Sequence, residues 1–137
     1  MFFTPQILQV AKILNIHPIF LTDDPPSKIL DFLYIGSMFN AAHLQGLRDE
    51  KFTHIVNITK EIKNFYPDDF SYYQVKILDK DGQNLSQHLE NVVEFIRKAE
   101  QNGGKILVHC KVGMCRSAAV VAAYLKRYRK MNVEEAE

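Results

Sequence analysis

Lys105-Ile106-Leu107-Val108-His109-Cys110-Lys111-Val112-Gly113-Met114-Cys115-Arg116-Ser117 is the stretch on which the reading of this chain turns. Lys105–His109 is a short apolar run suited to a buried strand. From Ser117 to about Lys130 the residues fit a helix that is apolar on nearly every side through Ala118–Leu125, as in a central, buried one. The loop between them carries Gly113, which can take backbone angles that turn successive N–H groups toward one centre. Unpaired amides converge at the start of such a helix, where its dipole adds about half a positive charge. A phosphate dianion fits that cradle, with the backbone of Lys111, Val112, Gly113, Met114, Cys115 and Arg116 as its lining.

Cys110 stands at the mouth of the cradle, so the groups that would hold an anion also surround its sulfur. Those amides are expected to lower the thiol pKa by several units from ~8.5, raising the fraction of nucleophilic thiolate at neutral pH. Arg116 offers two parallel N–H donors to two phosphate oxygens, a planar grip that lysine cannot copy. Ser117 can donate its hydroxyl to the sulfur as it departs. His109 is read as orienting the loop rather than moving protons. The plainer alternative makes His109 and Cys110 core residues and Arg116 the mere start of a helix. The whole combination, placed between strand and helix, weighs heavily against that.

Working upstream, Leu85, Leu89, Val92, Val93 and Ile96 mark a helix whose polar face carries Glu90, Glu94 and Lys98, stopped at Gly103-Gly104. Tyr72–Leu78 reads as a strand delivering Asp79 to its C-terminal end, before an Asp81-Gly82 turn. Lys60–Asp69 reads as a surface loop and Phe52–Ile58 as a buried strand. Asn40 is expected to cap a helix running to about Lys51, with Leu44 and Leu47 inward. Ile29-Leu30 and Phe32–Ile35 look like short strands ending at Gly36. Thr4-Pro5 opens an amphipathic helix with Ile7, Leu8, Ala11 and Leu14 on one face, and Asp23-Asp24-Pro25-Pro26 is a joint. The last residues, from Asn132 to Glu135, restart a helix. Strands alternating with helices predict an α/β fold, a central, largely parallel twisted sheet flanked by helices.

The chain has 137 residues, 47% hydrophobic and 24% charged, with a formal charge of +1. That is enough for one domain with one core. The near-zero charge argues against a wholesale polyanion binder, so any attraction for phosphate comes from local placement. No nucleic-acid or membrane partner is expected: there is no basic region ahead of the N-terminal apolar residues and no 18-residue apolar run. With only Cys110 and Cys115 as thiols, neither a disulfide scaffold nor a four-ligand zinc site is expected. A reducing cytoplasmic setting, or a nuclear one, follows. No metal and no cofactor are expected.

The string from His109 to Ser117 matches the His-Cys-x5-Arg-Ser signature of the protein tyrosine and dual-specificity phosphatase superfamily. Leu33-Tyr34-Ile35-Gly36-Ser37, then Asn40-Ala41 and Leu44, resembles the opening of dual-specificity phosphatase domains. Asn57-Ile58-Thr59-Lys60-Glu61-Ile62-Lys63-Asn64-Phe65-Tyr66-Pro67 is similar to the matching stretch of slingshot-type cofilin phosphatases, and Lys111 fits that subgroup. The resemblance implies hydrolysis of phosphoserine, phosphothreonine and phosphotyrosine in proteins through a cysteinyl-phosphate. It implies Asp79 as the acid that protonates the leaving oxygen, with Asp81 as the rival. It also implies an actin-depolymerising-factor protein as substrate. Phosphoinositide or RNA-end hydrolysis by the same chemistry, or phosphate binding without turnover, are the alternatives. Lys60, Lys63 and Lys80 could attract a phosphoprotein, although surface lysines usually just solvate.

The division expected is 1–27, an N-terminal helix and connecting segment, and 28–137, a dual-specificity phosphatase catalytic domain. The family domain normally continues for another one or two helices. Either the sequence is a fragment or residues 4–15 cap the fold instead. The spacing Cys-x4-Cys-Arg, finally, resembles low-molecular-weight tyrosine phosphatases, whose two loop cysteines can pair. Cys115 could then rescue an oxidised Cys110 as a disulfide, or it simply fills a small-residue slot.

Overall fold

Three parallel pairings and one antiparallel one build the sheet that carries the site. The strands are β1 (Ser27–Leu30), β2 (Leu33–Gly36), β3 (His54–Asn57), β4 (Ser71–Gln74) and β5 (Ile106–His109). They lie in the order β1-β2-β5-β3-β4. Only β1 with β2 is antiparallel; β2 with β5, β5 with β3, and β3 with β4 are parallel. The computed structural model describes residues 25–77, 85–110 and 116–130. The expected N-terminal helix at 4–14 and the helical restart at 132–135 lie outside the described residues.

The helices are α1 (Met38–Ala42), α2 (Leu44–Asp49), α3 (Leu85–Gln101) and α4 (Arg116–Tyr128). Leu33, Ile35, Val56 and Val108 point to one face of the sheet, where they pack with Val92, Ile96, Val120, Val121 and Tyr124 of α3 and α4. Ile55 and Leu107, the intervening residues, point to the other face and join Ala41, Leu47 and Phe52. Both faces of β5 are therefore covered, which is why its sequence is apolar throughout rather than alternating. Tyr124 hydroxyl donates to Glu100, which also takes Arg129 at 2.6 Å and Arg97 at 3.2 Å. This group fastens α4 to α3. No helix among the described residues is long and apolar enough to cross a membrane.

Two local expectations are corrected. The single helix expected from Asn40 to Lys51 is two short ones meeting at His43, and its cap is Ser37. Asn40 is the third helical residue and closes a capping box with Ser37. Its N–H donates to Ser37 Oγ at 3.1 Å, and its Oδ1 accepts from the Ser37 N–H at 2.8 Å. Serine and asparagine cap about equally well, so spacing alone could not choose between them. The strand expected to reach Leu78 ends at Gln74, beyond which single bonds carry the pairing: Val75 N–H to Asn57 carbonyl, and Lys60 N–H to Ile77 carbonyl. Gly103, at φ +74°, ends α3 in the left-handed form expected of it.

Candidate active site

β5 sits between β2 and β3 with all four residues buried, and His109 at its end faces Gly36 on one side and Asn57 on the other. The Ile58 N–H donates to the His109 carbonyl at 2.9 Å, extending that grip past the ladder. Cys110 follows directly, 4% exposed, and Arg116 opens α4, fully buried. Strand end and helix start thus converge at the C-terminal edge of a parallel sheet, where ligands of α/β folds bind.

Burial pushes the Cys110 thiol up from its ordinary value. Against that work the Ser117 hydroxyl, the backbone N–H groups of Ser117 and Arg116, and the Arg116 charge. The lowered pKa expected from sequence therefore does not emerge from the described groups: desolvating the sulfur outweighs them. The amides of Lys111–Cys115, which that expectation also counted, lie outside the described residues. Ser117 Oγ is buried, and beyond this pull on the sulfur it finds no hydrogen-bond partner among the described residues.

His109 is almost fully buried, and burial pushes its pKa down to about 4, only partly offset by the Cys110 backbone. It is neutral at physiological pH. A neutral ring is a poor proton donor at that pH, and its Nδ1 finds no hydrogen-bond partner among the described residues.

Arg116 Nη1 donates to the Ile58 and Ile77 carbonyls, each at 3.2 Å. The clamp candidate is held by the ends of two different chain segments, neither near it in sequence. Those ends are shaped by a polar cluster that sequence reading passed over. Asn57, fully buried, donates from Nδ2 to the Ile62 carbonyl at 2.7 Å and to Asn64 Oδ1 at 3.0 Å. Thr59 Oγ1 donates to Asn57 Oδ1 at 2.7 Å and accepts from the Ile62 N–H at 3.1 Å. Gln74 Nε2 donates to the Thr59 and Ile62 carbonyls. Asparagine and threonine closing a β-branched strand were the available signal, since buried polar groups need partners.

Asp79 and Asp81, and with them the choice of acid, lie outside the described residues, as do Lys80, Lys111, Val112, Gly113, Met114 and Cys115. Of the candidate residues, the structure brings together Cys110, Arg116 and Ser117. Among the described residues no three His, Cys, Asp or Glu side chains form a cluster that could hold a metal ion. A mostly apolar cavity of about 310 Å³, lined by Pro25, Tyr34, Leu47 and Phe52 among others, lies beside α2 and includes none of Cys110, Arg116 and Ser117.

A mixed sheet whose central strand ends at a cysteine, with an arginine six positions on opening a buried helix, is the arrangement of the cysteine-phosphatase class. The chain belongs to the dual specificity phosphatase catalytic-domain family, whose family model matches residues 33–137. The Slingshot protein phosphatase homolog of Xenopus laevis is 42% identical over 113 residues, 82% of this chain and 16% of that protein. Slingshot of Drosophila melanogaster is 42% identical over 107 residues, 77% of this chain and 10% of that protein. The chain thus spans a small part of the length of these curated relatives. Among solved structures, the human tyrosine phosphatase-like serine/threonine/tyrosine-interacting protein superposes with a TM-score of 0.74 at 32% identity, over 81% of this chain and 78% of that one.

Proposed function

We propose that this chain is a working protein phosphatase domain, spanning residues 28–137, that hydrolyses phosphoserine, phosphothreonine and phosphotyrosine. The observation that carries the reading is the meeting of Cys110 and Arg116 at one sheet edge, with the Ser117 hydroxyl and two helix-start amides acting on the sulfur. The phosphate lies on the amides of Lys111–Arg116, with two oxygens on the guanidinium. Cys110 Sγ attacks phosphorus as the thiolate while the P–O ester bond breaks, and Asp79 gives its proton to the leaving oxygen. Asp79 then takes a proton from water, whose oxygen attacks phosphorus. The P–S bond breaks, the sulfur leaves as thiolate, and Ser117 donates a hydrogen bond to it.

The similarity of Asn57–Pro67 to slingshot-type phosphatases supports an actin-depolymerising-factor protein as one substrate. The chemistry is tested first. Cys110→Ser is expected to abolish turnover while keeping phosphate binding. Asp79→Ala should lower kcat for alkyl phosphates by ~10²–10⁴-fold, and less for aryl phosphates with good leaving groups. Turnover by the Cys110→Ser protein above a small fraction of wild type would sink the mechanism. The same pattern in Asp81→Ala, with Asp79→Ala unaffected, would move the acid to Asp81.

A further inference from the structure

The Ile77 carbonyl accepts two bonds, one from Arg116 Nη1 at 3.2 Å and one from the Lys60 N–H at 3.1 Å. A shared acceptor holds the Lys60 backbone within about 6 Å of the guanidinium. The Lys60 side chain is exposed, as is that of Lys63 on the same loop. That loop does not wander, because Asn57, Thr59 and Gln74 bind its Ile62 carbonyl, its Ile62 N–H and Asn64. On the neighbouring segment Lys76 is exposed beside Ile77, the acceptor itself. None of the three lysines forms an ion pair among the described residues; Lys63 Nζ lies 5.8 Å from the centre of the Phe65 ring. Glu61 is the one carboxylate between Lys60 and Lys63 in sequence, and Asp68 and Asp69 lie at the far end of the same loop, Asp69 on Arg48 at 2.9 Å.

From those backbone positions the exposed lysine side chains are within reach of what flanks a phosphorylated residue, while the proposed reaction assigns its phosphate to the loop amides and Arg116. An extended peptide advances ~3.3–3.6 Å per residue, so side chains one to three positions away pass over this rim. We propose that Lys60, Lys63 and Lys76 form a basic rim that selects phosphoproteins carrying aspartate or glutamate within about three residues of the phosphorylated one. The proposal rests on the phosphatase reading and names the substrate class for that site. Each exposed contact is weak, but three acting on one peptide multiply, and their effect falls with salt.

The test measures kcat/KM of the full chain on matched phosphoserine peptides with aspartate or asparagine at the flanking positions. Wild type and Lys60→Gln/Lys63→Gln/Lys76→Gln are compared at low and high ionic strength. Wild type is expected to prefer the acidic peptide by about tenfold at low salt and to lose most of that preference at high salt. The triple variant's preference should fall below about twofold, through KM rather than kcat. A wild-type ratio near one, or a ratio unchanged in the variant, overturns the rim. So does a loss by the variant confined to phosphoinositide vesicles, which assigns the lysines to a lipid headgroup. Para-nitrophenyl phosphate has no flanking residues and separates the two ideas. If wild type fails to hydrolyse it, the underlying chemistry is wrong, whereas hydrolysis with a ratio near one defeats the rim alone.

Discussion

His109 shows how one side chain can set a pH limit on the molecule. Its pKa is about 4 in the fold against about 6.5 in an open chain. The folded form therefore refuses a proton that the unfolded chain accepts. The stability tied to the neutral ring is present in full above pH ~6.5 and is lost as pH falls through about 4, a loss of about 3 kcal/mol in all. His109→Gln removes the titration. Urea unfolding at pH 7 and pH 4.5 should show wild type losing more stability than the variant over that interval. Parallel curves would mean that the ring is hydrated in the fold. The place of His109 at the strand end beside Cys110 was legible in sequence. The balance at Cys110 itself was not. Counting nearby amides and a cation says what favours a thiolate, but the opposing cost depends on burial, which belongs to the packed chain.

At the level of elements, the strand ending at His109 and the helix beginning at Arg116 were readable, because a short apolar run and an all-round apolar helix allow few other arrangements. The loop after β3 was not. Lys60–Asp69 reads as polar surface, yet its first turn is fastened by Asn57, Thr59 and Gln74, the last of them 15 positions from Thr59 in sequence. Such a cluster is invisible until β3 and β4 lie side by side. Asn57→Ala would leave the Thr59 hydroxyl and Asn64 Oδ1 without their Asn57 partner, at a cost of about 1–3 kcal/mol. Because the Ile58 carbonyl held by Arg116 lies at the same turn, phosphate affinity should fall alongside stability. Calorimetric titration with inorganic phosphate, run beside urea unfolding, checks both. Lost stability with unchanged phosphate affinity would show that the cluster serves the fold only.

Across the whole molecule, the α/β class followed from alternating strands and helices, but the strand order did not. Nothing in the sequence says that β5, the last strand, inserts between β2 and β3, and that insertion is what brings Cys110 beside Ile58. The far side of the molecule is tied as firmly. Burial pushes Glu100 up, but hydrogen bonds from Tyr124, Arg129 and Arg97 more than offset it and hold the carboxyl below its usual range. Glu100→Ala leaves the fully buried Tyr124 without its acceptor and should cost about 2–3 kcal/mol by urea unfolding. Adding Tyr124→Phe should return part of that loss, since no donor is then stranded; a double variant that loses the full sum would show that the pair does not interact. Arg116, finally, is a tie as well as a clamp candidate, fastening α4 to the ends of the two segments that the β3–β4 ladder pairs. Anyone needing an inert version of this protein as a laboratory control should leave it in place. A protein lacking it fails for two reasons at once, chemical and architectural, and silence from it is uninterpretable. Cys110→Ser changes one atom and keeps the scaffold, so a partner captured by that protein reports on recognition alone.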